Sequence, residues 1–508
     1  MKILHQLALS IAILLATSCT KELDQQPIST TTDETFFTTK TDFIQADNAV
    51  YSIALRGISG GSYGYPDRLI NLSETRSDNL YAVSDGARDW DGINNFYTTI
   101  AGNTYVEEAY SNNYAAITKA NVLLEQLQQN RQVLGDEALA RRMKAEASFL
   151  RAFCYFDLVR WFGKVPLITK PVSLNESLEI PRSPVADVYN VITSDLQFAI
   201  DSLPPSYSGV DVGRATKYAA KALLALVYMT RSGPTYGIEG PGLGLDEWSK
   251  AYPLLSDIVN ATNQFAFLPT YSEIFSYTNE NNKEVVFDVQ YQSGGLNLGA
   301  AFIWILTPDD YFKIQGRDAQ GSNYQRPISS DFLSKFSVND LRRKFSIQDG
   351  YTYGSIVANY SFYKKFVDAS KYGSNRTDWP LNFIVFRYTD ILMLRAECTL
   401  HNGGGTQADV DAVVKKVRDR AGITDPATNV TLAQLMEERR REFCNEGSRW
   451  HDLVRSGLVE TVIPAWMATE DVQHRMQPFN KNFILYPIPQ RDINIKPGLY
   501  SQNPGYDQ

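Results

Sequence analysis

Histidine and cysteine are the scarcest chemistry-bearing residues here, with four of each in 508. His5, His401, His451 and His474 lie far apart in the chain, so a histidine-based metal cluster has little to build from. Cys154, Cys398 and Cys444 each sit among apolar residues in stretches that read as helix. An odd trio is no disulfide framework, and no two stand at metal-ligand spacing. Buried free thiols are the simplest reading, with one disulfide and a spare thiol as the alternative. The chain also lacks a GxSxG elbow, an HExxH helix and a glycine-rich phosphate cradle. A glycosidase needs two carboxylates set roughly 5–9.5 Å apart, and the sequence neither shows nor excludes such a pair among its 57 acidic residues. No enzyme is indicated. After Ala16 no apolar run approaches the ~20 residues of a membrane-spanning helix, which puts the folded body outside the bilayer. A net charge of −8 makes nucleic acid and anionic headgroups poor main partners.

What is present begins at the N-terminus. Lys2 and the apolar run Leu7–Ala16 have the length and flanks of a signal peptide, predicted over residues 1–18. Leu14-Leu15-Ala16-Thr17-Ser18-Cys19 resembles a bacterial lipobox, with Ala16 where leucine is usual. Cys19 is therefore expected to carry diacylglycerol, and two or three acyl chains anchor far more firmly than one. Residues 19–40 are rich in Thr and acidic side chains and read as a flexible tether. The Lys21-Glu22 stretch behind the cysteine resembles the surface-export signal of outer-membrane lipoproteins in the Bacteroidetes.

Helical periodicity dominates the body, residues 41–508. It is clearest over Glu137–Trp161, where Met143, Ala147, Leu150 and Cys154 form one apolar line and Phe149, Phe153 and Phe156 another. So wide a stripe suits a helix packed on two sides. Gly163 and Pro166 end it. Further helices are predicted over Asp42–Arg56, Tyr105–Gln128, Pro184–Leu203, Thr216–Arg231, Asp246–Asn263, Thr389–His401, Gln407–Ala421 and Leu432–Asn445. Short connections pair several of them, as in tetratricopeptide-like hairpins, without a strict 34-residue period. Residues 57–104 and 294–380 are instead rich in Gly, Asn, Ser and aromatics, and loops so long are usually functional. Glu284–Tyr291 and Phe383–Tyr388 alternate like strands. The fold class that follows is mostly α, about four helix pairs with long irregular loops and a few short strands. Its N-terminal part runs over about 41–265 and its C-terminal part over 266–508.

Several blocks then stand in order. Arg142 to Asp157 is followed by Gly163-Lys164-Val165-Pro166; Tyr388-Thr389-Asp390 leads to Arg395-Ala396-Glu397; Arg418 and Arg420 precede Gly422. Arg440-Arg441-Glu442 continues through Glu446-Gly447-Ser448-Arg449-Trp450-His451-Asp452, then Tyr486-Pro487-Ile488-Pro489 and Asn503-Pro504-Gly505. Together they resemble the SusD/RagB family of outer-membrane nutrient-binding lipoproteins, over essentially the whole mature chain. The Glu442, Glu446, Arg449, Asp452 and Arg455 cluster reads as scaffold: arginine forks satisfying carboxylates under Trp450.

The resemblance implies a protein that captures a glycan and delivers it to a SusC-like TonB-dependent transporter, with no cofactor and no catalysis. A non-glycan nutrient such as peptide, or a helical-repeat adaptor without a small ligand, is the alternative. Sugar recognition needs rings that stack on pyranose faces and planar polar groups that bridge hydroxyls. By resemblance the contacts are expected in the loop after Ser77: Asp78, Arg88 and Trp90 first, then Asn94 and Tyr97. Tyr291, Trp304 and Trp379, in or beside the second irregular region, are expected to complete a platform.

Overall fold

The computed structural model describes residues 36–58, 63–83, 88–318, 321 and 326–507; Cys19 and the leader lie outside them. Its body is a row of antiparallel helices: α1 Lys40–Tyr51, α2 Thr104–Gln129, α3 Glu137–Phe162, α4 Val185–Ser202, α5 Lys217–Ser232, α6 Trp248–Asn260, α7 Tyr388–Leu400 and α8 Gln407–Arg420. Each packs on the next, from α1 to α8. That nearest-neighbour order is the signature of a helical-repeat array.

Local chemistry sets these helices. Thr39 and Asp42 close a capping box on α1, Asn103 caps α2, Asp136 caps α3, and Thr406 with Asp409 boxes α8. From Ala145 to Phe162 every α3 residue is buried except Arg151, because α2 covers one flank and α4 the other. Gly163 stops the helix at φ +67°, where a Cβ would lie 2.2 Å from the Glu239 carbonyl oxygen, so only glycine fits. Three more helices follow: α9 Leu432–Glu442, α10 Arg449–Ser456 and α11 Val459–Glu470. Cys154, Cys398 and Cys444 are buried and unpaired.

The irregular regions are insertions into two helical hairpins. Residues 57–103 separate α1 from α2, and residues 261–387 separate α6 from α7, which still pack together. The second insertion holds strand β1 Val285–Val289, the hairpin β2 Ile347–Tyr353 and β3 Ile356–Tyr363, and β4 Phe383–Arg387. β1 pairs antiparallel with β4, as their alternation predicts. The hairpin corrects the expectation of an irregular stretch over 294–380.

The two insertions meet. Leu80 bridges Ile328, Tyr81 N–H donates to the Pro327 carbonyl at 3.0 Å, and Ser329 N–H donates to that of Asn79 at 2.8 Å. Buried ion pairs then fix the second insertion to the array. Glu442, at the end of α9, accepts Arg387 at 2.8 Å, Arg420 at 2.6 Å and Arg342 at 3.3 Å. Glu446 takes Lys365 at 2.6 Å and Arg387 at 2.9 Å.

This burial makes stability depend on pH in two directions. Burial by itself would raise the Asp78, Glu438 and Glu442 carboxyls, but the arginines around them prevail and hold each at about 2. Their contribution is complete above about pH 4.5 and is lost as pH falls toward 2. Asp67 and Asp288 are pushed up to about 7 by burial. They bind protons in the folded state that the unfolded chain has released, so they withdraw stability as pH rises from about 4 to 7. Melting temperature is expected to peak near pH 5. A profile still rising from pH 5 to 7 would show that Asp67 and Asp288 are not protonated inside.

Candidate ligand-binding face

The first insertion places Trp90 on the short helix Asp89–Asn94, entered through an extended Arg88. Its ring is half-buried. The Arg326 guanidinium lies 4.9 Å from its centroid and that of Arg88 6.0 Å. Arg326 itself is 5% exposed. It donates to Asn71 Oδ1 at 2.7 Å, Thr75 Oγ1 at 3.0 Å and the Ile305 carbonyl at 3.0 Å. One side chain thus ties the Trp90 helix to the turn that carries Trp304. Trp304 is half-buried too, under Arg376 at 4.4 Å. Among the described residues neither indole N–H has an acceptor. Tyr105 stands within electrostatic reach of Arg326, and the Tyr63 and Tyr105 rings are 6.4 Å apart. The result is an aromatic face studded with guanidinium groups, built from both insertions.

Of the residues expected from sequence, Arg88 and Trp90 come together here, and Arg326 links them to the turn that carries Trp304. Asp78 does not. It is fully buried, gripped by Arg449 through two 2.8 Å bonds and by Arg440 at 3.1 Å, and so joins the first insertion to α9 and α10. Asn94 is also interior. Its amide donates to the Thr75 and Leu80 carbonyls and its oxygen accepts the Ala82 N–H, which shapes the loop from inside. Trp379 is fully buried between Phe312 and Tyr372, in the segment that bridges Ala300. That bridge requires Gly299, whose Cβ would lie 2.4 Å from the Asp378 Cα. Trp379 therefore anchors the loop that presents Arg376; its indole N–H donates to the Arg376 carbonyl at 3.1 Å. Tyr97 lies beside Arg475, which ion-pairs with Asp91 and borders a cleft of about 390 Å³ with Tyr81, Tyr360 and Met476. Tyr291, 9% exposed, edges a different cleft of about 380 Å³ with Tyr51 and Arg56.

Arg326, Arg376, Tyr63 and Tyr105 were not anticipated. Arg376 carried the one usable signal, a cation three residues before a tryptophan in a loop. No group of three metal-ligating side chains occurs among the described residues, and no helix there is long and apolar enough to cross a membrane.

Comparison with known proteins fits this geometry. Residues 348–506 match the model of the SusD family, and residues 38–229 match a model described as starch-binding, associating with outer membrane. The chain belongs to the SusD/RagB family. A SusD-like protein of Bacteroides ovatus is 28% identical over 472 residues, covering 87% of this chain and 80% of its own. A solved laminarin-binding SusD-like protein has a TM-score of 0.73 at 26% identity, covering 92% of this chain and 100% of its own. Surface glycan-binding protein A from Bacteroides thetaiotaomicron, in complex with laminarihexaose, has a TM-score of 0.75 at 22% identity with the same coverage. The mostly helical, tetratricopeptide-like architecture of this SusD-family chain is therefore the fold of glycan-binding relatives, with its loop insertions between paired helices.

Proposed function

We propose that the protein is a cell-surface glycan-binding lipoprotein, held on the outer membrane by lipidated Cys19. It captures a glycan on the Trp90–Trp304 face and passes it to a SusC-like TonB-dependent transporter, without catalysing a reaction on it. The observation that carries this reading is the link that Arg326 makes from the half-buried Trp90 ring to the backbone beside half-buried Trp304. Apolar rings flanked by a few fixed polar groups are what a sugar ring needs. The laminarin-binding relative and the starch-binding family description support a glycan as the ligand class. The exposed side of the helical array offers a broad surface for the transporter.

Affinity electrophoresis of the chain from Thr20 tests this, in native gels containing laminarin, starch, xylan, galactomannan or polygalacturonate. Retardation by at least one polysaccharide, relative to a gel without glycan, is the expected result. Migration unchanged in every gel would overturn glycan capture.

A further inference from the structure

Among the described residues, charge on the candidate face meets no carboxylate, unlike most buried arginine charge elsewhere in the interior. Arg68, Arg160, Arg342, Arg387, Arg420, Arg439, Arg440, Arg449 and Arg455 are all buried, and each meets a carboxylate. Among the described residues Arg326 and Arg76 are buried without one. Arg76 is boxed in by rings, with Tyr486 at 4.4 Å, Phe96 at 4.5 Å and Trp450 at 5.4 Å, deep behind the C-terminal segment. Arg326 has one ring, that of Trp90, and three neutral acceptors.

A buried guanidinium without a counter-charge is costly to the fold. Burial lowers Arg326 to about 10. Arg88 and Arg376 repeat the pattern at the surface. Each lies over one of the two tryptophans, and neither has an ion-pair partner among the described residues. Three cations without an ion-pair partner among the described residues thus lie close together in a chain whose net charge is −8.

We infer that the glycan bound at the Trp90–Trp304 face is acidic, with carboxylate or sulfate groups that pair with Arg88 and Arg376 in the positive field of buried Arg326. The inference rests on the glycan-capture reading above. A guanidinium fork matches the paired oxygens of either anion, and the exposed Arg88 and Arg376 each have an indole behind them. A neutral chain would cover the same cations while giving them nothing to pair with, so it is disfavoured as well as less attracted.

Titration calorimetry on the chain from Thr20 tests the charge separately from the sugar backbone. The probes are polygalacturonate oligomers and their methyl esters, and sulfated galactan oligomers with their desulfated forms. The acidic member of one pair is expected to bind about tenfold tighter or more than its neutral partner, with the gap closing between about 50 and 500 mM salt. Arg88→Ala with Arg376→Ala, both at the surface, should erase the gap without moving the melting temperature. Arg326→Met should weaken acidic binding, at some loss of stability because Asn71, Thr75 and the Ile305 carbonyl lose their donor.

Equal or tighter binding of the neutral partners would overturn the inference and leave glycan capture standing. So would an acidic preference that survives the double variant. If no glycan binds, the capture reading falls and this inference with it. Preference for the galacturonate pair or for the galactan pair identifies carboxylate or sulfate as the anion.

Discussion

Glu442→Gln is expected to lower the unfolding free energy by about 3–5 kcal/mol, the range for breaking a buried ion pair by removing one partner. Glu442 is fully buried and accepts from three arginines, so the amide leaves one positive charge unbalanced inside the protein. Those arginines come from different places. Arg342 and Arg387 belong to the second insertion, and Arg420 ends α8. The lost energy should therefore appear first as loosening of residues 341–387 against the helical array. Urea unfolding followed by near-ultraviolet circular dichroism measures the total, and hydrogen exchange locates it. Glu437→Gln is the control. Its carboxylate lies 3.7 Å from Arg440 and 3.9 Å from Arg441 but is partly exposed, so it should change stability by less than about 1 kcal/mol. If Glu442→Gln matched that control, the ion network would not be what holds the insertion in place.

That network explains why the scaffold was legible in sequence and the site only partly so. The helices announce themselves through a local period of 3.6 residues, and β1 and β4 through a period of two. Even the C-terminal arginine–carboxylate cluster could be read as scaffold from its spacing. The hairpin β2–β3 carried a signal of its own, Gly354-Ser355 between alternating runs, with Gly354 at φ +59°. Its polar, tyrosine-rich strands hid it within a longer irregular stretch. Helix α10 carries the helical period too, with Trp450, Leu453 and Val454 on one face and Arg449, Asp452 and Arg455 on the other, but both faces are buried.

Loop side chains have no period, so residue type alone cannot say which way they face. Asp78 looked like a ligand contact because it follows a serine in an aromatic-rich loop. Its role is set by Arg440 and Arg449, which lie 362 and 371 residues further along the chain. Trp90 and Trp379 are the same residue type in similar loops, yet one is capped by arginines at the surface and the other is sealed between Phe312 and Tyr372. Only long-range packing separates them. The overall charge of −8 pointed away from anionic partners, but a global sum does not describe a face on which three arginines have no ion-pair partner among the described residues.

The three tryptophans therefore give the sharpest separation between binding and stability. Trp90→Ala is expected to weaken glycan binding by about 30-fold or more, the loss of about 2 kcal/mol that marks a tryptophan hot spot. Its helix is held by other groups: Asn95 bonds Asp91, Asn103 bonds the Asp89 carbonyl, and Asp91 pairs with Arg475. The melting temperature should thus stay close to that of the parent protein. Trp304→Ala should weaken binding to a similar degree, and because one glycan is taken to span both rings, the double variant should show no measurable affinity. Trp379→Ala should behave in the opposite manner. Emptying a fully buried site is expected to remove about 3–5 kcal/mol of stability, and binding should fall only as far as Arg376 loses its anchored loop. Affinity by calorimetry and stability by urea unfolding on the same three variants decide the matter. Trp90→Ala and Trp304→Ala that bind like the parent would move the ligand to one of the clefts at Arg475 or Tyr291. Trp379→Ala that unfolds like the parent but loses all binding would return Trp379 to the ligand face.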